Sequence, residues 1–189
     1  MDDLTLMSHV LRGEIEKMSA LYERYRMPVY YYFFKLTCGN REASEDLVHT
    51  VFYRVIRYRH SFTGHGNFAS WLFRIARNTG IDYNRSKKEI EASDPEFRSG
   101  VMASLYEDED EDEKNDQIAS LELAMKKLEH DDREIITLAK LKCLKYSEIA
   151  GILGITEGNV KIRMFRAVRR LREIFLKIEN VRYEKKGSG

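Results

Sequence analysis

Apolar residues recur at i, i+3 and i+4 along nearly the whole chain, and strict alternation is scarce, so the pattern predicts helices from end to end. Residues 4 to about 37 carry one such pattern around the aromatic-rich "YRMPVYYYFFKL", where Pro28 is expected to start or kink a helix. After the turn "CGN", Leu47, Val51 and Val55 fall at i, i+4 and i+8, with Val48, Phe52 and Ile56 in the adjacent row. Both rows belong to one strongly amphipathic helix. "HSFTGHGN", residues 60–67, holds two glycines and no periodicity and reads as a loop. Beyond it, Phe68, Leu72, Ile75, Thr79 and Tyr83 share one face of another helix, whose opposite face carries Arg74, Arg77, Asn78 and Arg85.

Residues 91–116 combine Pro95, Gly100, serines and an acidic run, a composition with too little apolar area to offset the entropy of ordering it. They read as a flexible linker. Helical pattern then returns over Ile118 to Glu129, Asp131 to Leu141, Ser147 to Leu153 and the stretch from Thr156 onward, and no repeat relates the two halves. The predicted fold is all-α: a helical domain over 1–90, the acidic linker over 91–116, a second helical domain over 117–183, and a tail over 184–189. The tail's closing "GSG" reads as a linker scar.

Composition adds bounds. With 189 residues, 43% hydrophobic and 33% charged, the chain has material for one ordinary domain or two small ones, and disorder throughout is excluded. The net charge of +1 would argue against a polyanionic partner, but it conceals segregation. From Lys140 to Arg172 nine basic residues face only Glu148 and Glu157, whereas "EDEDEDEKND", residues 107–116, sets eight acids against Lys114. Cys38 and Cys143 form no CxxC pair and lie in apolar-periodic stretches, which predicts buried thiols in a reduced, intracellular chain. The start "MDDLTLMSHV" lacks the basic and apolar regions of a signal peptide, and no apolar run is long enough for membrane insertion.

The candidate chemistry concentrates in "YSEIAGILGITEGNVKIRMFRAVRRL". Ser147 is placed to cap a short helix that points Ile149, Ile152 and Leu153 inward, Gly154 suits the left-handed residue that ends it, and Thr156 caps the next helix. Two helices joined so tightly make a helix-turn-helix, whose second helix typically enters the DNA major groove. On that second helix Val160, Met164, Ala167, Leu171, Ile174 and Phe175 lie near one inner line. Ile162, Arg166 and Arg169 face outward, flanked by Lys161, Arg163, Arg170 and Arg172. A merely solvated helix mixes signs for i, i+4 pairing, yet residues 158–172 contain no acid.

This stretch resembles region 4 of the extracytoplasmic-function (ECF) sigma factors of bacterial RNA polymerase. The first half matches independently: "REASEDLVHTVFYRVIRYR" resembles their region 2.2, and "FASWLFRIARNTGIDYNRSKK" resembles regions 2.3 and 2.4. The likeness covers about residues 4–90 and 117–175, in order, with a linker between. It implies a promoter-recognition factor that binds core polymerase, reads the minus-35 and minus-10 elements and promotes DNA opening.

The resemblance places minus-35 recognition on Asn159, Lys161, Arg163, Arg166 and Arg169, with Arg170 on phosphate. Asn159 stands where the family usually has Thr or Ser, Ile162 where Ser is usual, and Val168 where a basic residue is usual. Ile162 on the groove face suggests an apolar contact with a thymine methyl. Opened strands are held by basic grooves and stacking aromatics. The resemblance accordingly places minus-10 recognition on Phe62, Gly66 and Asn67 of the loop, Trp71 at the adjoining helix start, and Arg74, Arg77, Asn78 and Arg85. For Trp71, and still more for Phe68, core filling is the competing reading.

Asp46, Leu47, His49 and Phe52 are implied to meet the coiled coil of the largest polymerase subunit, with His49 standing where Gln is common. Leu47 and Phe52 also fit the inner rows as core. The further implied partners are the polymerase flap region, promoter DNA and an anti-sigma factor, in the bacterial cytoplasm, with no cofactor and no enzymatic activity of the chain's own. The competing class is a conventional helix-turn-helix regulator that acts without polymerase. An enzyme has less support: His60, His65 and a distant Cys show no zinc-binding spacing. The acidic run is either a solvated spacer or a mimic of nucleic-acid charge.

Overall fold

The computed structural model describes residues 1–64, 66–93 and 113–186, and every regular element among them is helical. Helix α1 (Asp3–Leu11) is capped by the Asp2 carboxylate, which accepts from the Thr5 N–H. The single long pattern expected over residues 4 to 37 is broken at Gly13, whose φ of 102° no ordinary helix position allows. A short turn over Ile15–Lys17 then leads into α2 (Met18–Leu36). Pro28 does not start a helix; α2 runs through it, giving up one backbone donor. Surrounding burial outweighs that loss, because Leu21, Tyr25, Val29, Tyr32 and Phe33 all lie in the core.

Asn40 caps α3 (Arg41–Arg57) by accepting from the Ala43 N–H at 2.9 Å. Both predicted apolar rows of α3 point inward: Leu47, Val48, Val51, Phe52 and Val55 are buried and Ile56 packs against them. Helix α4 (Phe68–Ser93) continues beyond residue 90, and α5 (Glu113–Lys127) begins before 117, so helix reaches into both ends of the span read as linker. The rest of that span, including most of the acidic run, lies outside the described residues.

The second domain continues with α6 (His130–Lys140), α7 (Tyr146–Leu153) and α8 (Glu157–Lys186). It does not stand apart from the first. Helix α6 packs on α2 and α7 packs on α4, so one apolar cluster runs from Leu6 through Phe73 to Ile135, Ile149 and Val160. The thiols expected to be buried are half-buried and free: Cys38 ends α2 at a positive φ of 58°, and Cys143 lies between α6 and α7.

Candidate nucleic-acid interface

The turn between α7 and α8 forms as its sequence dictates. Gly154 adopts the left-handed conformation at φ 69°, and the Thr156 hydroxyl accepts from the Asn159 N–H at 3.2 Å. The start of α7 differs from expectation. Lys145, not Ser147, is the N-cap residue, and Glu148 reaches back to accept its N–H at 2.6 Å. Val160 and Ala167 are fully buried beneath α8, with Met164, Leu171 and Ile174 packed beside them. That seating fixes the helix's rotation and turns Asn159, Lys161, Arg163, Arg166 and Arg169 to solvent.

These cations are lightly held. Lys161 pairs with Glu157 at 2.9 Å and Arg169 with Glu173 at 3.7 Å, both exposed i, i+4 pairs of the kind that contribute under about 1 kcal/mol. Among the described residues, no acid pairs with Arg163 or Arg166. Arg170 departs from the expected phosphate contact: it grips Asp132 of α6, and that hydrogen bond raises the guanidinium's pKa. The same face carries an apolar strip that residue typing alone overlooked. Phe165 is 71% exposed, beside exposed Ile162 and Val168. The available signal was its place between the outward residues Ile162 and Arg166, since an unburied phenyl ring on a basic face is suited to contact with base edges.

On α4 the expected residues separate. Arg74, Asn78 and Arg85 are exposed along one face, Arg85 beside Glu89 at 3.7 Å. Asn78 edges an open groove of about 420 Å³ lined also by Arg54, Tyr58, Ile75, Ile81 and Asp82, across which Arg54 reaches Asp82 at 2.7 Å. Phe62 and Trp71 require correction. Both are buried, packed with Phe68 at ring separations of 5.3–5.9 Å, and Trp71 Nε1 donates to the Ser61 hydroxyl at 3.3 Å. Their rings fill the core beneath the loop instead of offering a stacking face, because the first turn of α4 has no other apolar support there.

Asn67 spends both ends of its amide. Its carbonyl accepts from the Ala69 N–H at 2.9 Å as the cap of α4, and its NH₂ donates to the Cys143 carbonyl at 3.1 Å. Gly66 is exposed with φ 102°. Arg77 is half-buried against Glu134 at 3.2 Å. Neither Asn67 nor Arg77 is free. Glu134 had drawn no attention in the sequence, although it shares an i, i+4, i+7 row with Leu138 and Leu141, where a charge is out of place.

On α3, Asp46 and His49 are exposed neighbours, whereas Leu47 and Phe52 are core residues, each 5% exposed, with Phe52 edge-on to Tyr22. His60 is exposed in the turn Arg59–Ser61, and His65 lies outside the described residues. His130, Asp131 and Glu134 bring potential ligand atoms within 4.8 Å of one another. Glu134, however, already receives hydrogen bonds from Tyr32 and Arg77 on its two oxygens, which leaves poor provision for a cation.

Two outward basic faces on an all-helical chain, one of them a helix-turn-helix, are matched in the comparisons with known proteins. Sigma-70 region 2 matches residues 21–90, and Sigma-70 region 4 matches residues 118–171. The ECF RNA polymerase sigma factor SigM of Bacillus subtilis is 33% identical over 159 residues, covering 82% of this chain and 93% of its own. The chain belongs to the ECF sigma factors of RNA polymerase. SigW of the same organism is 30% identical, covering 87% of this sigma factor and 91% of its own length. Among solved structures, CnrH in complex with the cytosolic domain of CnrY superposes with a TM-score of 0.66 at 22% identity, over 91% of this chain and 96% of that one. RpoE from Bartonella quintana, solved with the anti-sigma factor NepR, gives 0.65 at 22% identity, over 84% and 96%. These two likenesses speak to the fold. As an ECF sigma factor, this protein serves RNA polymerase in promoter recognition and transcription initiation, and the polymerase-free regulator is not favoured.

Proposed function

We propose that this sigma factor divides its work between two helices: α8 reads the minus-35 element as duplex, and the exposed face of α4 holds the opened minus-10 strand. The observation that carries the reading is the rotation of α8. Val160 and Ala167 are seated in the core, so Lys161, Arg163, Arg166 and Arg169 project together from the far side. Phosphate contacts from the flanking cations would fix register, while Asn159, Arg166 and the apolar pair Ile162 and Phe165 address base edges. On α4, Arg74, Asn78 and Arg85 supply the backbone-tracking cations and amide that single strands require.

Asp46 and His49 of α3 are the polymerase-facing residues in this reading, because they are the exposed members of the set that region 2.2 implies. Core polymerase performs the nucleotidyl transfer, and the sigma factor contributes binding, placement and strand separation with no chemistry of its own. No described helix is long and apolar enough to cross a membrane, which agrees with work in the bacterial cytoplasm. The relatives solved with CnrY and with the anti-sigma factor NepR support an anti-sigma partner for this chain too.

Run-off transcription with purified core polymerase on a randomised promoter library tests the proposal. Recovered templates should share two elements at a fixed spacing, and Arg166→Glu should erase the upstream one while leaving the circular dichroism spectrum unchanged. Retained wild-type selectivity in that variant would remove α8 from promoter reading.

A further inference from the structure

Arg133 and Glu134, consecutive in α6, are both buried, and both reach into the first domain. Charged side chains are almost never so placed without partners. Glu134 keeps 4% side-chain exposure; its carboxylate accepts from the Tyr32 hydroxyl at 2.7 Å and pairs with Arg77 Nε at 3.2 Å. Tyr32 is itself fully buried, and that burial, reinforced by the carboxylate's charge, keeps its hydroxyl protonated and donating. A second tie lies at the start of α4, where the Asn67 amide donates to the Cys143 carbonyl.

A carboxylate and a phosphate are both oxyanions that fit a guanidinium, so Arg77 cannot serve Glu134 and a nucleic-acid backbone with the same donor. We propose that Glu134 is an intramolecular latch: it takes the place on Arg77 that a DNA phosphate would occupy, and so holds part of the α4 face shut in the free sigma factor. This rests on the reading that α4 grips the opened strand. The α8 face is not affected, because Lys161, Arg163, Arg166 and Arg169 are exposed in the same closed arrangement.

The seam is built to be reversible. A buried ion pair is weak evidence for stability, since its charges regain full hydration on separation. Polar interfaces between domains of one chain characteristically come apart and re-form. Duplex reading by α8 therefore needs no rearrangement, whereas strand capture by α4 requires α6 and α7 to leave α2 and α4. That imposes an order: upstream docking first, downstream capture after opening.

The test uses the full chain without polymerase. Fluorescence anisotropy measures binding of a mixed-sequence single-stranded DNA 12-mer and of a mixed-sequence duplex, at matched salt. Small-angle scattering measures the radius of gyration. Glu134→Gln should tighten single-strand binding about tenfold, the size expected for losing a charged hydrogen bond that competes for Arg77, and should enlarge the radius of gyration. Duplex binding should be unchanged. Asp131→Asn, which removes an equal charge from an exposed neighbour, should alter single-strand binding less than about twofold.

Tyr32→Phe keeps the ring and deletes only the hydroxyl that holds Glu134. It should shift both readouts the same way by a smaller factor, and it carries the test if Glu134→Gln does not fold. Unchanged single-strand affinity in a folded variant overturns the latch, and so does an equal gain from Asp131→Asn. Failure of the underlying reading looks different: Arg74→Glu would then initiate normally in holoenzyme.

Discussion

The faces of α8 and α4 are made of the same residue types, yet they stand in opposite conditions. On α8 the cations Lys161, Arg163, Arg166 and Arg169 reach solvent with at most an exposed neighbour on the same helix. On α4 the corresponding set is divided: Arg74, Asn78 and Arg85 are exposed, while Arg77 and Asn67 are engaged by the second domain. The difference follows from what each helix meets. Helix α8 buries one stripe in its own domain and leaves the other side to water, whereas α4 lies between its own domain and α7. Being basic is therefore not the same as being available, and availability is a tertiary property.

The largest effect should come from confusing the two sides of α8. Ala167→Asp places a carboxylate on the fully buried stripe and should unfold the second domain, at a cost of several kcal/mol, on the order of that for an unpaired buried charge, abolishing initiation with a lowered melting temperature. Arg166→Glu, one residue earlier on the open side, should reduce run-off transcription roughly a hundredfold by repelling the DNA it faces, with the melting temperature unchanged. If the two variants behave alike, the inner and outer assignments fail together.

Trp71 sharpens the other half of the contrast. Trp71→Ala should cost about 3–5 kcal/mol in denaturant unfolding by opening a cavity beside Phe62 and Phe68. Trp71→Phe should keep most of that stability and near-normal promoter opening, measured by permanganate reactivity. Loss of opening without loss of stability in Trp71→Phe would mean that the indole meets DNA after all. The smallest expected effect is on salt dependence: Arg163→Ala should lower the slope of log affinity against log salt by about 1 for a minus-35 duplex, as one phosphate contact is lost.

What could be read in the chain beforehand is what depends on near neighbours. The two apolar rows of α3, the left-handed Gly154, the Thr156 cap and the split faces of α8 each follow from spacings within one or two helical turns, and each is present. Short-range reading faltered where a distant partner decides the outcome. Glu134 has the appearance of a surface acid in "DDREII" because its partner Tyr32 lies 102 residues away, and Asn67 binds a carbonyl 76 residues away. Trp71 and Phe62 were drawn toward DNA by motif, but the aromatic cluster with Phe68 had the stronger claim on them. Pro28 marks a helix boundary only where burial does not override the missing donor, and around it Tyr25, Val29, Tyr32 and Phe33 do override it.

Arg133 has a bearing on how cleanly the two halves can part. Its guanidinium donates to the carbonyls of Met125, Lys126 and Leu128 within the second domain, but to only one carbonyl of the first, Leu36 at 3.5 Å, besides touching the Cys38 sulfur. Most of its bonds therefore travel with it. On separation the exposed end of α2 surrenders one long contact and is rehydrated, while the end of α5 remains fully stitched. The C-terminal half can leave as a finished part, with nothing to refold before it reaches its binding partner.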